Sequence, residues 1–466
     1  MKMKKSKIQF YSGLSLLGLG GLLSKVHGAD APAVATGSVA WQKPAWLTDL
    51  GLSAKESYDD NVLGVSGSGM TPKSSWITTV SPKVGFNFAP LLGKQSPFQT
   101  LSLSYSPDFN ILHGFPSESY NAHKLGDTIK GKSGDFSFAL DNAFLYNDGN
   151  HQAPIYADNQ LGGALANQND KYRNNYAHGM ARERLAQIQD RTTVVLQYDW
   201  DKVFIRPAGA LIYYDLNTDW HNTGAAPWKG YQNYVDRYDI NGGADAGYKV
   251  TKDLSVLLGY RYGHQYQQQF ALAIDADQHH TDSDYQRVLL GLEGKPWQWL
   301  NVKLAGGPDF RKFDSTAPVY DPNLVTYYGE ASLTATLTPS QSLSFLYKGW
   351  QWVSSTGNVP QFDSSYALNY HWNATKQLGF DLGGKFQEGD YSSGNDVAGS
   401  GPSVRDDVLY TVSAGVSYAF SSHLSANLSY TRDLADNGWD GLAAKYQSSY
   451  RQFNRQLVSV GMQYKF

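Results

Sequence analysis

Acidic and histidine side chains cluster between residues 275 and 284, where candidate metal ligands alternate along the chain. These ligands are Asp275, Asp277, His279, His280, Asp282 and Asp284. Alternate carboxylates suit Ca²⁺, and a pair of imidazoles suits a transition metal. The stretch lacks the glycine and the closing glutamate of a calcium loop. We therefore interpret it as a solvated acidic loop and predict no metal site.

The other reactive residue types form no recognisable catalytic pattern. The glycine-rich run 64–69 resembles a phosphate loop, but it has no Lys-Ser or Lys-Thr pair and no helical pattern after it. Ser, His and Asp occur in no spacing typical of a hydrolase motif. The chain contains no Cys, which excludes thiolate chemistry and Cys-ligated metals. We predict that the protein is not an enzyme and that it needs no cofactor.

Apolar and polar residues alternate along many segments, and these segments must position the remaining charged residues. Clear examples are 101–106, 136–141, 254–262, 378–385, 408–420 and 424–430. A period of two is that of a β-strand with one apolar and one polar face. Short turns such as 251–253 alternate with long polar connections such as 147–178. This layout is typical of bacterial outer-membrane barrels, whose short turns face the periplasm.

The predicted fold is all-β, a transmembrane antiparallel up-and-down β-barrel. We count about 18 strands, an even number as in single-chain outer-membrane barrels, or about 16 if residues 113–134 are misread. Aromatic residues make up 14% of the chain, and the mean hydropathy is −0.44. A barrel explains this combination, because half of each strand faces lipid, half faces water, and aromatic residues collect at both interfaces.

The amino-terminal residues predict export. A basic start that includes Lys4 and Lys5 precedes an apolar run over about 10–23 and the small residues Gly28 and Ala29. This is the layout of a secretory signal peptide. We predict a cleaved signal peptide over 1–28, a short periplasmic segment over 29–48, and an outer-membrane barrel over 49–466. The net charge of −3 gives no argument for nucleic acid as a partner.

The last residues predict the strand that closes the barrel. Its apolar positions are Val458, Val460, Met462, Tyr464 and Phe466, and they alternate with polar or small residues. We expect these side chains to face lipid and the strand to pair with the first strand around Leu50–Tyr58. An aromatic residue at the end of such a strand resembles the assembly signal that the barrel assembly machinery reads in outer-membrane proteins.

The first strand and its exit add a resemblance to a class of proteins. The segment Leu50–Val62 leads into a Tyr58-Asp59-Asp60-Asn61 turn. Such a turn, behind a signal peptide and ahead of a full-length barrel, resembles the β-barrel porin families of Gram-negative outer membranes. The local motif is short, whereas the architectural match covers nearly the whole mature chain. The resemblance implies an integral outer-membrane barrel that forms a pore, and it supplies no substrate and no functional residues.

The charged residues that line the lumen can be predicted once the apolar residues of each alternation are assigned to the lipid-facing side. Arg or Lys on the lipid face at the midplane would cost about 2–4 kcal/mol each, so we assign these charges to the lumen. The predicted pore-lining residues are Asp141, Arg206, Asp239, Asp245, Arg261, Arg287, Glu293, Lys303, Asp309, Arg311, Glu330, Lys348, Asp381 and Lys385. Both signs are present, so the set predicts no ion preference. The alternative is that the charges pair across the lumen and stiffen the wall.

The longest external connection, from Asn147 to Gly179, is the third in order. General porins fold their third external loop into the barrel as a constriction, and this loop occupies the matching place. Its charged residues include Asp148, Asp158, Asp170, Lys171 and Arg173. Opposed acidic and basic clusters would create a transverse field that selects small polar solutes. The alternative is an exposed loop over the mouth of the barrel.

The leading functional hypothesis is a porin-like channel for the passive diffusion of small hydrophilic solutes. The alternatives are a surface barrel that does not transport (an adhesin, receptor or structural protein) and a conduit for polysaccharide export. Lumen aromatics, which would favour sugar export, are only scattered: Tyr214, Tyr328 and Trp350. Tryptophans near strand ends, including Trp76, Trp200, Trp297, Trp299 and Trp352, predict interfacial girdles. The expected partners are outer-membrane lipid, the assembly machinery and the solutes. The sequence leaves open whether the protein forms a homo-oligomer.

Overall fold

A computed structural model describes residues 43–62, 72–148, 187–215, 236–267, 282–314, 323–353, 360–392, 404–439 and 453–466. The predicted signal peptide and most of the predicted periplasmic segment lie outside these ranges. Residues from Pro44 onward form one compact unit. Within the described residues, no helix is both long enough and apolar enough to cross a bilayer.

The described part of the chain is built almost entirely from antiparallel strands. They are β1 (Leu47–Asp59), β2 (Ser75–Asn87), β3 (Phe98–Tyr105), β4 (Asp108–Leu112), β5 (Tyr120–Ser133), β6 (Phe136–Asn147), β7 (Gln187–Trp200), β8 (Val203–Asp215), β9 (Arg237–Thr251), β10 (Leu254–Gln267), β11 (Ser283–Trp297), β12 (Leu300–Phe313), β13 (Asn323–Thr338), β14 (Gln341–Val353), β15 (Pro360–Asn373), β16 (Leu378–Ser392), β17 (Val404–Ala419), β18 (Leu424–Trp439) and β19 (Phe453–Lys465). Two short 3₁₀ helices, Ala89–Leu92 and Pro116–Glu118, lie in connections.

The strands form one closed barrel with 18 wall positions, as predicted. β3 and β4 share a position, because both pair with β2 on one side and with β5 on the other. Pro107 separates them, and a proline cannot donate a ladder hydrogen bond. β19 pairs with β1 from Gly51–Lys465 to Asp59–Leu457, which confirms the predicted closure of the barrel.

Tight turns join the strands at one rim of the barrel. Gly134-Asp135 joins β5 to β6, and Asp201-Lys202 joins β7 to β8. Gly134 and Asp201 adopt left-handed conformations, with φ of 59° and 47°. Gly and Asp tolerate this region better than other residues, and two-residue hairpins require it. The connections between strands at the opposite rim are mostly longer, which agrees with the alternation predicted from the sequence.

The two faces of the sheet differ in the way the period-two alternation predicts. Large apolar side chains such as Leu258 and Val412 are exposed on the outer face, each 60% exposed. The closing-strand residues Val458, Val460, Met462, Tyr464 and Phe466 are exposed on the outside as well. Their proposed role as an assembly signal stays a prediction. The inner face carries the polar and charged side chains, many of them buried.

Candidate functional site

Ion pairs link charged residues across the inner face of β8–β12. The Arg206 guanidinium on β8 reaches past β9 and β10 to Glu293 on β11, and its Nη1 lies 2.9 Å from Oε2. Arg261 Nη1 on β10 lies 2.7 Å from Asp245 Oδ1 on β9. Gly259, opposite Asp245 in the register, leaves room for that carboxylate. These pairs brace neighbouring strands on the concave side of the wall.

A denser cluster lies near the strand ends that are remote from the tight turns. Asp309 on β12 is fully buried and accepts hydrogen bonds from Arg287 Nε at 2.6 Å and from Arg311 Nη2 at 3.2 Å. The Tyr285 ring lies against both guanidiniums, with centroid distances of 4.0 and 4.7 Å. Its hydroxyl donates to Asp239 at 3.0 Å. We call the inward-facing charged residues of β8–β12 the charged arc.

The end of β14 leaves the barrel wall and folds into the lumen. The last pair between β13 and β14 is Gly329–Gly349, and in the described residues β14 makes no further pairs with β13. Its pairing with β15 continues from Trp350–Asp363 to Val353–Pro360. This inward-folded end, residues 350–353, reaches the charged arc. The Gln351 carbonyl accepts hydrogen bonds from Gln265 Nε2 at 3.1 Å and from Arg311 Nη2 at 3.0 Å.

These hydrogen bonds explain how the wall tolerates the departure of β14. A buried backbone carbonyl that loses its ladder partner costs free energy unless another donor replaces it. Side chains of β10 and β12 supply those donors. At the point of departure, the Tyr347 ring lies over Gly329, and a Cβ at Gly349 would overlap the Tyr347 hydroxyl. Two glycines therefore allow the close approach that the bend requires.

Aromatic residues line the inward-folded end. The Trp350 and Trp352 rings stack at 4.4 Å, and the residues are only 2% and 1% exposed. The Arg237 guanidinium lies over both Trp352 and Tyr214, at 5.2 and 5.0 Å. The Lys348 ammonium lies 3.7 Å from the centroid of the Trp350 ring. The rings and cations together narrow this part of the lumen.

The girdle prediction was therefore wrong for Trp352. Trp76, Trp200, Trp297 and Trp299 are at least half exposed on the outer face, as predicted. Trp352 lies close to a strand end like these residues, but it has inward parity and belongs to the part of β14 that turns inward. Its surroundings are set by β8 and β9, which a local sequence pattern cannot show.

All of the residues assigned to the lumen lie on the inner face. Asp141 accepts a hydrogen bond from Thr128 at 2.7 Å, and Asp381 lies 2.7 Å from His371. A cavity of about 260 Å³ is lined by charged residues of the neighbouring strands β12, β13 and β14 and by one charged residue of β16. The charged residues are Lys303, Glu330, Lys348 and Lys385. Pore lining remains a proposed role for the whole set.

The inner face of β13–β18 has a different character. Its side chains are mainly hydroxyl and amide groups, and they border a cavity of about 700 Å³. The inward residues of this cavity that carry polar side chains are Ser332, Thr334, Ser342, Ser344, Asn369, His371, Asp381, Ser413, Ser417, Asn427, Ser429 and Thr431. We call this surface the hydroxyl arc. Its small side chains leave space where the charged arc is filled.

Most of the predicted constriction loop cannot be compared with the structure. Asp148, at the base of this loop, accepts hydrogen bonds from the Asn121 backbone at 2.6 Å and from its Nδ2 at 2.7 Å. Asp158, Asp170, Lys171 and Arg173 lie outside the described residues. Most of the acidic stretch 275–284 and the glycine-rich run 64–69 also lie outside them. Among the described residues, no group of three His, Cys, Asp or Glu is placed to hold a metal.

Sequence reasoning missed several residues of the buried cluster. Arg237, Gln265, Tyr285 and Gln351 all take part in it. Arg237, Gln265 and Tyr285 have inward parity, so the alternation is the sequence signal that identifies them. Gln351 has outward parity and contributes its backbone carbonyl, for which no sequence signal exists.

The chain is similar to solved structures of outer-membrane proteins. No protein-family model matches the chain, and no curated protein matches it. One similar structure is the outer membrane protein OpdK of Pseudomonas aeruginosa, with 11% identity over 90% of this chain and 99% of that chain, and a TM-score of 0.39. Another is OccK2 (OpdF) of the same organism in complex with glucuronate, with 10% identity over 90% and 98% and a TM-score of 0.42. The siderophore receptor PirA of Acinetobacter baumannii shares 9% identity over 90% and 81%, with a TM-score of 0.41.

Similarity at this level carries no argument about function, so the assignment rests on the barrel itself. The sheet is closed, the wall has an even number of strands, and the outer face is mainly apolar with aromatic girdles. Only a closed barrel satisfies every backbone group of a sheet within lipid. The chain is an outer-membrane β-barrel, which confirms the predicted resemblance to outer-membrane porins at the level of the fold.

Proposed function

We propose that this protein is a channel for the passive diffusion of small hydrophilic solutes across the outer membrane. The observation that carries this proposal is the inner face, which is polar or charged along nearly every strand. A barrel of this strand number encloses more space than its own side chains fill. The hydroxyl arc borders a cavity of about 700 Å³ in that space. No covalent step or cofactor is part of this function.

The inward-folded end of β14 is the proposed selective element. It places two indoles inside the lumen, and the Lys348 ammonium, on the last part of β14 that pairs with β13, lies against the Trp350 ring. Charges within the charged arc largely neutralise one another through ion pairs. The cavity beside them holds three lysines and a single glutamate. This local excess of positive charge favours small anionic solutes over cations of the same size.

The predicted constriction loop stays a second proposed element. Deletion of residues 150–175 tests it by single-channel conductance in planar bilayers. Unchanged conductance after the deletion would leave the inward-folded end of β14 as the narrowest part of the channel.

Liposome swelling tests the proposed transport directly. Purified protein in liposomes should admit sugars of graded size up to a cut-off, and a sugar acid should enter faster than the neutral sugar of equal size. Liposomes without protein provide the baseline. Absence of permeability at every size would contradict the channel and favour a surface barrel that does not transport.

A further inference from the structure

Two neighbouring cavities in the lumen have linings of different chemistry. The smaller one, of about 260 Å³, lies on the inner face of β12–β16, and we call it the lysine cavity. The larger one, of about 700 Å³, belongs to the hydroxyl arc. Ser332 and Leu346 line both cavities, so the two spaces adjoin. A solute in the lumen can therefore contact both linings at the same time.

The strand register places the cations of the lysine cavity around small side chains. Lys303 on β12 lies opposite Ser332 on β13. Lys385 on β16 lies opposite Ala367 on β15. Lys348 comes from β14, between these two pairs of strands. Lysines on alternate strands, with serine or alanine beside them, surround a recess that their own stems do not fill.

The lysine cavity has an excess of positive charge. Three lysines and one glutamate give it a formal charge of +2. The glutamate, Glu330, also accepts a hydrogen bond from the Tyr328 hydroxyl at 2.8 Å. Within the described part of the chain, neither the Lys303 nor the Lys385 ammonium lies within 4 Å of a carboxylate oxygen. A solute with two negative charges would offset the charge that the protein leaves uncompensated here.

The type of cation distinguishes phosphate from carboxylate as the preferred anion. A guanidinium fork matches the two coplanar oxygens of a carboxylate, whereas a Lys ammonium is a compact point donor. Among the described residues, no arginine lines the lysine cavity. Arg206, Arg261 and Arg287 instead pair with carboxylates of the charged arc. A phosphate monoester has three terminal oxygens and close to two negative charges at pH 7, which suits three separate ammoniums.

The hydroxyl arc offers a matching surface for the rest of such a solute. Ser, Thr and Asn side chains both donate and accept hydrogen bonds, as the hydroxyl groups of a polyol do. Ser344 is the next inward residue after Leu346 on β14, and it lies opposite Asn369 on β15. Ser413 on β17 borders the same cavity. A polyol that is attached to a phosphate in the lysine cavity would therefore extend along this row.

We infer that the lysine cavity and the hydroxyl arc form one binding site for small polyol phosphates, such as phosphorylated sugars. The phosphate group lies among the three ammoniums, and the polyol hydroxyls contact the hydroxyl arc. This inference rests on the proposed function, because both surfaces lie inside the channel. Inorganic phosphate would use the lysine cavity alone, and a neutral sugar would use the hydroxyl arc alone. A polyol phosphate should therefore bind more tightly than either part.

Isothermal titration calorimetry of the folded barrel in detergent tests this site. The four probes are glucose 6-phosphate, glucuronate, inorganic phosphate and glucose, at about pH 7.5, where a phosphate monoester carries close to two charges. We expect glucose 6-phosphate to bind most tightly. Its Kd should be about tenfold or more below that of glucuronate, because additional charge-assisted hydrogen bonds form with phosphate.

Two variants separate the halves of the site. K303Q/K385Q should weaken the binding of glucose 6-phosphate and of inorganic phosphate by about tenfold or more. N369L/S413L fills the hydroxyl arc, so it should reduce the affinity for glucose 6-phosphate to that for inorganic phosphate and leave the latter unchanged. K312Q, on the outer face of β12, is the matched control and should bind like the wild type. Heat-modifiable migration confirms folding, and K385Q and N369A replace a double variant that does not fold.

Several results would overturn the inference. They are equal affinity for glucuronate and glucose 6-phosphate, equal affinity for inorganic phosphate and glucose 6-phosphate, unchanged binding in K303Q/K385Q, and no binding of glucose 6-phosphate at millimolar concentration. Entry of a neutral sugar into liposomes reports the proposed function separately. A barrel that admits the neutral sugar but does not bind glucose 6-phosphate is a channel without this site. A barrel that binds glucose 6-phosphate but admits no solute has the site and contradicts the channel.

Discussion

The charged arc and the hydroxyl arc follow the same alternation along their strands, yet their inner faces are packed in opposite ways. On the charged arc, long side chains reach across several strands, and buried ion pairs join them. On the hydroxyl arc, side chains are short and end near the wall, and they leave a cavity of about 700 Å³. Side-chain length and charge, rather than the backbone, decide which side of the lumen is filled.

The inward-folded end of β14 shows what the charged arc contributes. Strand β14 has hydroxyl-arc residues such as Ser344 near the tight turn and aromatic residues at its far end. Its far end leaves the wall where Gln265 and Arg311 offer donors to the Gln351 carbonyl. The hydroxyl arc offers short side chains that do not span the lumen. The difference between the arcs therefore determines where the wall bends inward.

The largest expected effect is a difference in disulfide yield between two engineered cysteine pairs that join β13 and β14. The native chain contains no cysteine that would interfere. If β14 continued its pairing with β13 beyond Gly329–Gly349, Tyr327 would lie opposite Gln351. The pair Y327C/Q351C should give almost no intramolecular disulfide on oxidation in membranes. The registered pair L333C/F345C should form it readily, as seen by mass spectrometry. Equal yields for the two pairs would show that β14 stays in the wall.

The next contrast concerns stability. Arg311→Gln removes a buried guanidinium from Asp309 and a donor from the Gln351 carbonyl. Breaking a buried ion pair by removing one partner costs about 3–5 kcal/mol. We expect a loss of this size in the free energy of unfolding, measured by urea titration of the folded barrel in detergent micelles. Lys312→Gln, next to it on the outer face, is the matched control and should change little.

Ion selectivity tests the proposed positive region between the arcs. The double variant K303E/K385E reverses two charges that line the cavity of about 260 Å³. The anion-to-cation permeability ratio should fall by about threefold or more, because lumen charges set selectivity at short range. Reversal potentials in a salt gradient give this ratio. K312E, on the outer face, should leave this ratio unchanged. Equal permeability ratios for the wild type and K303E/K385E would refute the proposed positive region.

The smallest effects are expected on the hydroxyl arc. Ser344→Ala and Ser413→Ala each remove one hydroxyl group beside the large cavity. We expect a change of less than about 0.5 kcal/mol in the free energy of unfolding, as for substitutions that create no cavity and break no buried network. Conductance should also be unchanged. A large loss of stability in either variant would mean that the two arcs are packed alike.

The barrel could be predicted from the sequence because its signals are local. Alternation within one strand fixes which face of that strand is apolar, and Gly134 and Asp201 mark tight turns. The same parity assigned residues such as Arg287 and Asp309 to the inner face. It could not show that they pair with each other and with Arg311, because strand tilt and side-chain length decide those contacts.

The inward-folded end of β14 could not be predicted in this way. Its cause lies in β10 and β12, far away in the sequence, and its main contact is a backbone carbonyl. The inward parity of Trp352 excludes a girdle position, but its contact with Arg237 depends on the bend and could not be predicted. The glycine pair Gly329–Gly349 is the one local trace of this bend.

Single-channel conductance of the variant W350A/W352A tests the central claim most directly, that the inward-folded end of β14 narrows a solute channel. Removing two stacked, buried indoles should raise conductance by about twofold or more, because the narrowest section limits the current. The control W297A/W299A removes a stacked pair from the outer girdle and should leave conductance unchanged. Heat-modifiable migration confirms a folded barrel in both variants. Equal conductance of wild type and W350A/W352A would contradict the account.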